Sequence, residues 1–480
     1  MASANITFSQ IPSGIRKPGK YFEFNTSLAV RTLPGIDWQT LIIAQRLAAG
    51  SVAALVPTMV FSEQDAETYF GIGSNAHRMV KAALKANPYL NLTVVALDDA
   101  VAAVAATGTV TIANNATATG VLTLYVGNEE VDVAVNSGDT PTVIAGNIVA
   151  AITNMPQLPV TATSAVGAVT LTAKNKGTVG NQIYLGYNLG TIAGITCTIV
   201  QMANGATDPT LQDALNATFA QQFDILVTPY NDQTNLGTLK TQLELLGNAI
   251  EQRPGVGIYA VNGALASATT LAGEVNDGRT LGAYLRYTSA TPRQSPAYEL
   301  AAAYGAVMAG EPDPGRPLNT LALTGIAVPA LADRLSRTEQ ESCLNNGVAC
   351  IEVGPGEIVQ IVRAISTYTL NAQGVPDISL LDITSIRSLD YVRLACRTRI
   401  ALRFPREKLN AVKTPPRVRS ELVDVLKQLE DINMVENVAT VMPQLLVELD
   451  LQDPTRLDAQ IPANIVPGLH IFAAVIDLIL

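Results

Sequence analysis

Only two histidines, His77 and His470, occur in 480 residues, with four cysteines and one tryptophan. Neither histidine stands in H-E-x-x-H, H-x-E or a Cys/His cluster, which removes the usual zinc sites. A Ser-His-Asp hydrolase needs one of them as base, but no G-x-S-x-G accompanies either. No catalytic, cofactor or metal residue is therefore assigned, and no enzyme activity is expected. Cys197, Cys343, Cys350 and Cys396 show no C-x-x-C spacing, so they form no disulfide framework and suit a reducing compartment. Charge is scarce at 15% of residues, against about 25% in an average soluble domain. No run of about 18 apolar residues is present to span a bilayer, so no direct membrane insertion is expected. The first residues, MASANITFSQIPSG, have neither a basic region nor an apolar core of signal-peptide type, and assembly in cytoplasm is expected.

What is abundant is apolar surface: 48% of the chain, with mean hydropathy +0.25. That surplus needs covering by something other than lipid, and further copies of the chain are the obvious candidate. The charge sum, 31 basic against 41 acidic residues, is −10, which argues against a phosphate-backbone binder and hence against nucleic acid as partner. The length predicts about two to four domains.

The order of elements is legible from periodicity. The run WQTLIIA at Trp38–Ala44 predicts a buried strand, and Ser62 then caps SEQDAETYF, with Glu63 and Asp65 at the positive helix end. A helix over 76–86 leads to a strand over 92–97. The alternation resumes with helices over 211–221 and 236–251, strands FDILVTPY and VGIYAV, a helix over 265–275, a strand over 281–287 and a helix over 297–308. This is the pattern of a largely parallel sheet with covering helices. Between the two stretches, residues 107–201 change to Thr, Val, Ala, Asn and Gly with short alternating runs such as TVTIA, VLTLYV and VTLTA, one helix over 142–154 and turns at Asn136-Ser137-Gly138 and Asn175-Lys176-Gly177. The fold class is thus α/β and multidomain. A discontinuous α/β core (26–106 and 202–333) carries an inserted antiparallel β domain (107–201), an α+β C-terminal domain (334–458) follows, and extended arms occupy 1–25 and 459–480.

Two glycine motifs invite a nucleotide. Gly71-Ile72-Gly73-Ser74-Asn75-Ala76 matches G-x-G-x-x-A, but a helix rather than a strand runs into it, so it reads as a tight interhelical turn. Gly14 to Lys20 fits G-x-x-x-x-G-K, but Tyr21 replaces the Ser/Thr that binds magnesium.

The sharpest electrostatic feature is the pair of segments near the end. Arg387 to Arg419 holds ten bases and two acids, net +8, and Glu421 to Asp458 nine acids and two bases, net −7. Either the two pair internally, or part of the basic stretch, including Arg393 and Arg397 at i,i+4 on one ridge, faces an acidic partner. The chain ends pose a similar choice. Asn5–Ile11 alternates Ile6 and Phe8 with polar neighbours, and GLHIFAAVIDLIL closes the chain. Each end packs on its own body or completes a neighbour's sheet.

Several stretches together resemble the tail sheath family of contractile phages, in particular its Mu-like branch. They are IPSGIRKPGKYFEFNTSLA at Ile11–Ala29, YFGIGSNAHRM at Tyr69–Met79, and VRAISTYTLNAQGVPDISLLDITSIRSLDYVR at Val362–Arg393, where Ser366 stands for a common Thr. The resemblance covers most of the chain and implies a virion tail protein, a subunit of a helical tube around an inner tail tube, with a core described as subtilisin-like but no protease activity. It implies exchange of strands between copies, here at about Ala2–Lys20 and Gly468–Leu480, with Ile6, Phe8, Ile471, Phe472, Val475 and Ile476 as the arm residues. It further implies an inner tail tube protein, a baseplate and a tail terminator as partners, and a C-terminal unit facing the tube with Arg387, Arg393 and Arg397 as candidate contacts. A capsid or surface-layer protein is the alternative within the structural class, and a subtilisin-like hydrolase the enzymatic one.

Overall fold

The computed structural model describes residues 11, 14–23 and 33–479; Ile6 and Phe8 lie outside them. In chain order the elements are β1 (Gln39–Gln45), β2 (Thr58–Met59), α1 (Glu63–Phe70), α2 (Asn75–Ala86), β3 (Asn91–Leu97), β4 (Thr107–Ala113), β5 (Gly120–Val126), β6 (Glu129–Val135), α3 (Pro141–Thr153), β7 (Val160–Ala165), β8 (Ala168–Ala173), β9 (Leu185–Asn188) and β10 (Thr196–Ala203). They continue with α4 (Gln212–Thr218), β11 (Ile225–Val227), α5 (Gln233–Gly247), β12 (Val256–Val261), α6 (Leu265–Val275), β13 (Thr280–Tyr284), α7 (Ala297–Ala309), α8 (Arg337–Asn345), β14 (Ala349–Gly354), β15 (Ile358–Ile361), α9 (Ile383–Arg403), α10 (Thr414–Asp431), and the hairpin β16 (Leu446–Leu449) and β17 (Leu457–Gln460).

The chain forms two compact units. The larger holds residues 36–392 and 464–480. Its main sheet has eight strands in the order β15-β14-β13-β12-β11-β1-β3-β2. The six strands from β14 to β3 are parallel, whereas β2 on β3 and β15 on β14 are antiparallel. Continuous apolar runs suit such a sheet because helices cover both faces, and β12 and β13 are buried at every position. The covering helix α7 is rich in alanine and carries Gly305, so backbones approach closely; a methyl group at Gly305 would meet Val227 Cγ2 at 2.6 Å. At the sheet's two ends the strands are short. β2 has two residues, and the outer side of β15 is taken by chain 320–323, where the Thr320 and Leu323 N–H groups donate to the Ile361 and Val359 carbonyls at 2.8 Å.

Residues 107–203 form two antiparallel sheets, β10-β4-β8-β7 and β6-β5-β9. Their alternating strands turn Leu122, Leu124, Val126, Val131, Val133 and Val135 onto Ile144 and Ile148 of α3, a hydrophobic core distinct from that of the main sheet. This mixed α/β organisation with several sheets agrees with the sequence reading at that level. One placement differs. β14 and β15, assigned from sequence to a C-terminal domain opening at 334, belong to the main sheet, with Ala283 and Tyr284 of β13 registered to Ala349 and Cys350. The second compact unit holds residues 393–463 and the described residues before 36. Within it α10 buries Val418, Leu422, Val425, Leu426 and Leu429, one helical stripe. Among the described residues no helix is long and apolar enough to cross a membrane.

Candidate functional site

The glycine turn between α1 and α2 is filled by protein. Gly71 and Gly73 have φ of +87° and +80°, which a side chain would strain. A Cβ on Gly73 would also lie 2.4 Å from the Leu158 carbonyl oxygen of the inserted domain. The N–H groups that would cradle a phosphate are committed: Gly73 N–H donates to His77 Nδ1 at 3.0 Å, Asn75 N–H to Asn175 Oδ1 at 2.9 Å, and His77 N–H to Ser74 Oγ at 3.1 Å. Lys174 Nζ donates to the Ile72 and Pro156 carbonyls at 3.3 and 2.6 Å, and Asn175 Nδ2 to the Arg46 carbonyl at 2.8 Å. The motif therefore packs the turn against the segments around Pro156–Leu158 and Lys174–Asn175.

His77 is completely buried. Its Nδ1 accepts a hydrogen bond, so the neutral ring carries its proton on Nε2, 3.6 Å from Oε1 of both Glu63 and Glu67. Among the described residues this trio alone has the spacing of a metal cluster, but in this tautomer Nε2 has no lone pair for a cation, and Lys81 Nζ sits 3.3 Å from Glu63. Burial first, then the Arg78 charge, pushes the imidazole down from 6.5 to about 4 despite the opposing Glu63 carboxylate. The unfolded chain thus binds more protons as pH falls from 6.5 towards 4, and stability is lost in that window, by about 3 kcal/mol at most. Chemical unfolding at pH 7 and pH 4.5 is expected to show this loss, and His77→Gln to reduce it. An unchanged pH dependence in the variant would show that His77 is not its source.

Beside it lies a buried ionic joint. Arg78 on α2 donates through Nε and NH2 to Glu299 Oε1 of α7 at 2.9 and 2.6 Å, and through NH1 to Glu129 Oε1 of β6 at 2.6 Å. Lys81 adds a contact to Glu129 at 3.2 Å. Burial alone would raise the Glu129 carboxyl, but the neighbouring Arg78 and Lys81 charges hold it down at about 2. The Tyr69–Met79 motif contains Arg78 but gives no sign of its partners, because Glu129 and Glu299 lie far along the chain.

The three candidate tube-facing arginines are placed differently from one another. Arg387 is buried, its guanidinium 4.2 Å above the Trp38 ring centroid. Desolvation lowers its pKa to about 10, and it is not a surface charge. Its burial counts against a place among the candidate tube contacts: stacking on the single tryptophan draws it inside. Arg393 is half-buried and Arg397 exposed. Much of the remaining positive run pairs within its own unit: Arg399 with Glu421 at 3.2 Å and Asp424 at 2.5 Å, Arg403 with Glu421 at 3.5 Å, and Arg417 with Glu407. Arg406, Lys408 and Lys413, in the connection from α9 to α10, are exposed. They were not singled out from sequence because a basic run does not show which members find internal acids.

The C-terminal segment is the most apolar exposed stretch. Residues 471–479 are all exposed and form no helix or strand, with Ile471, Phe472, Val475 and Ile476 at 78%, 85%, 86% and 95% exposure.

A glycine turn filled by protein and an exposed apolar segment at 471–479 are features of a subunit built to assemble. Residues 204–367 match the phage tail sheath protein central domain and residues 375–479 the phage tail sheath C-terminal domain. The chain belongs to the phage tail sheath family, structural components of contractile tails. It is 35% identical to the Mu-like prophage FluMu tail sheath protein of Haemophilus influenzae over 99% of its own length and 100% of that protein, in keeping with the Mu-like resemblance of its motifs. Its fold is similar to the sheath tail protein of Desulfitobacterium hafniense, with TM-score 0.50 and 16% identity over 90% and 94% of the two chains. A similar match links it to the sheath of an extracellular contractile injection system in the contracted state, with TM-score 0.50 and 9% identity over 97% and 98%.

Proposed function

We propose that this chain polymerises in the host cytoplasm into a helical sleeve around an inner tail tube, anchored by a baseplate and closed by a terminator protein. A change from an extended to a contracted packing then drives the tube through the host envelope. The observation that supports this reading is the exposed apolar segment 471–479, which buries little in its own subunit and is suited to pairing with a neighbour's sheet edge. Ile6 and Phe8 are proposed to serve the same exchange at the other end. The work comes from the difference between two packings of one chain; a few kcal/mol per subunit sums over the whole sleeve. The inserted domain, residues 107–201, faces outward in this reading, where variation does not disturb the lattice.

The C-terminal domain faces the tube and offers it Arg393, Arg397, Arg406, Lys408 and Lys413. Reversing Arg397, Arg406 and Lys413 to Glu together is expected to leave hollow tubes of uniform width in negative-stain images of the purified protein. Co-assembly with the inner tube is expected to fall by about tenfold or more, because like charges across an interface cost several kcal/mol. Dispersed monomers of the unmodified chain at high concentration would sink the sleeve, and undiminished co-assembly of the variant would sink the basic face.

A further inference from the structure

The exposed segment begins more sharply than the boundary drawn at 459 suggests. Ile465, Val466, Gly468 and His470 are half-buried, whereas every residue from Ile471 to Ile479 is exposed. Gly468 lies so close to Pro317 that a Cβ there would sit 2.4 Å from Pro317 Cγ. Two residues on, His470 Nδ1 accepts the Asn319 amide N–H at 3.0 Å, which leaves the ring proton on Nε2, 3.5 Å from Asp382 Oδ1. Asp382 is itself fixed by a two-pronged bond from Arg363, at 2.8 and 2.7 Å, and by a backbone bridge to Ile365. Asn319 immediately precedes the stretch that covers β15. The seat is thus built from segments that adjoin the β15 end of the main sheet.

We infer that His470 is the fixed point of the tail: the chain up to His470 stays on its own subunit in every state of assembly, and the strand given to a second copy starts at Ile471. This rests on the reading of 471–479 as an exchanged strand and assigns it a pivot. Physically, the seat holds the strand's origin in place, so only the exchanged residues are ordered when a neighbour is found. His470 is in this sense a positioning residue.

The test joins the seat covalently. Asn319→Cys and His470→Cys are introduced together and bridged by oxidation or by a short bis-maleimide, the four native cysteines being buried. Bridged subunits are expected to form tubes in the same yield as unbridged ones, with amides 465–470 equally protected from hydrogen exchange in subunit and tube. A drop in tube yield of about tenfold or more on bridging, recovered on reduction of the disulfide, would overturn the pivot by showing that the earlier segment must leave. So would loss of protection at 465–470 on assembly. Deleting 471–480 from the unbridged chain separates the two claims: tubes formed by that deletion would overturn the exchange reading, whereas failure only after bridging overturns the pivot alone.

Discussion

Deletion of residues 471–480 is expected to abolish tube formation while leaving the folded subunit's Tm unchanged. The second half follows from exposure: Ile471, Phe472, Val475 and Ile476 bury little in the subunit, so their loss removes no core contact. The first half follows from what they gain in a neighbour. Burying each large side chain contributes about 1.5–3 kcal/mol, offset by about 1–2 kcal/mol for ordering each residue. One link is therefore weak, and only repetition makes the polymer hold. Phe472→Asp with Ile476→Asp is expected to act in the same direction, raising the concentration at which tubes appear by about a hundredfold or more. Sedimentation and negative-stain imaging across a concentration series measure both. Truncated chains that pellet as tubes at the normal threshold would refute strand exchange by this end.

Arg78→Met is expected to destabilise the subunit by about 3–5 kcal/mol, the largest effect of any single substitution proposed. Its methylene chain fills much of the space but leaves the buried Glu299 carboxylate, 5% exposed, and the half-buried Glu129 carboxylate without their main partner. Adding Glu299→Leu is expected to restore part of the loss, because an empty buried charge costs more than an apolar replacement. Denaturant unfolding of the two single variants and the double variant closes the cycle. A loss below about 1 kcal/mol for Arg78→Met would mean that the joint is solvated and braces nothing. Because Glu129 belongs to β6, the same variant is expected to expose the connections at either end of residues 107–201 to proteolysis before the main sheet opens.

The sequence foretold those elements whose signal is local. Ser62 caps α1 as read, its Oγ accepting the Asp65 N–H at 3.1 Å, because a cap and its acceptor lie within one turn. The strand Val256–Val261 and the helix Leu265–Val275 were bounded by their own apolar periods. The switch to short alternating runs after Thr107 marked a segment with a core of its own because half-buried strands show a period of two. What escaped was long-range. Nothing in ACIEVG announces that it will pair with β13, and nothing in the basic run shows that Arg387 finds Trp38 or that Arg399 finds Glu421 and Asp424. Charge counts give a sum, while folding decides which charges meet. His77 escaped for a related reason: its tautomer depends on a backbone N–H presented only when Gly73 adopts positive φ.

The two-residue strand at one end of the main sheet and the covered four-residue strand at the other carry a consequence for life in a crowded array. Subunits held side by side at very high local density risk zipping together wherever backbone donors and acceptors lie open, and a long bare margin would invite irregular aggregates. Here both ends of the main sheet refuse such contacts. Orderly growth then depends as much on the surfaces that decline to pair as on the segments free to do so.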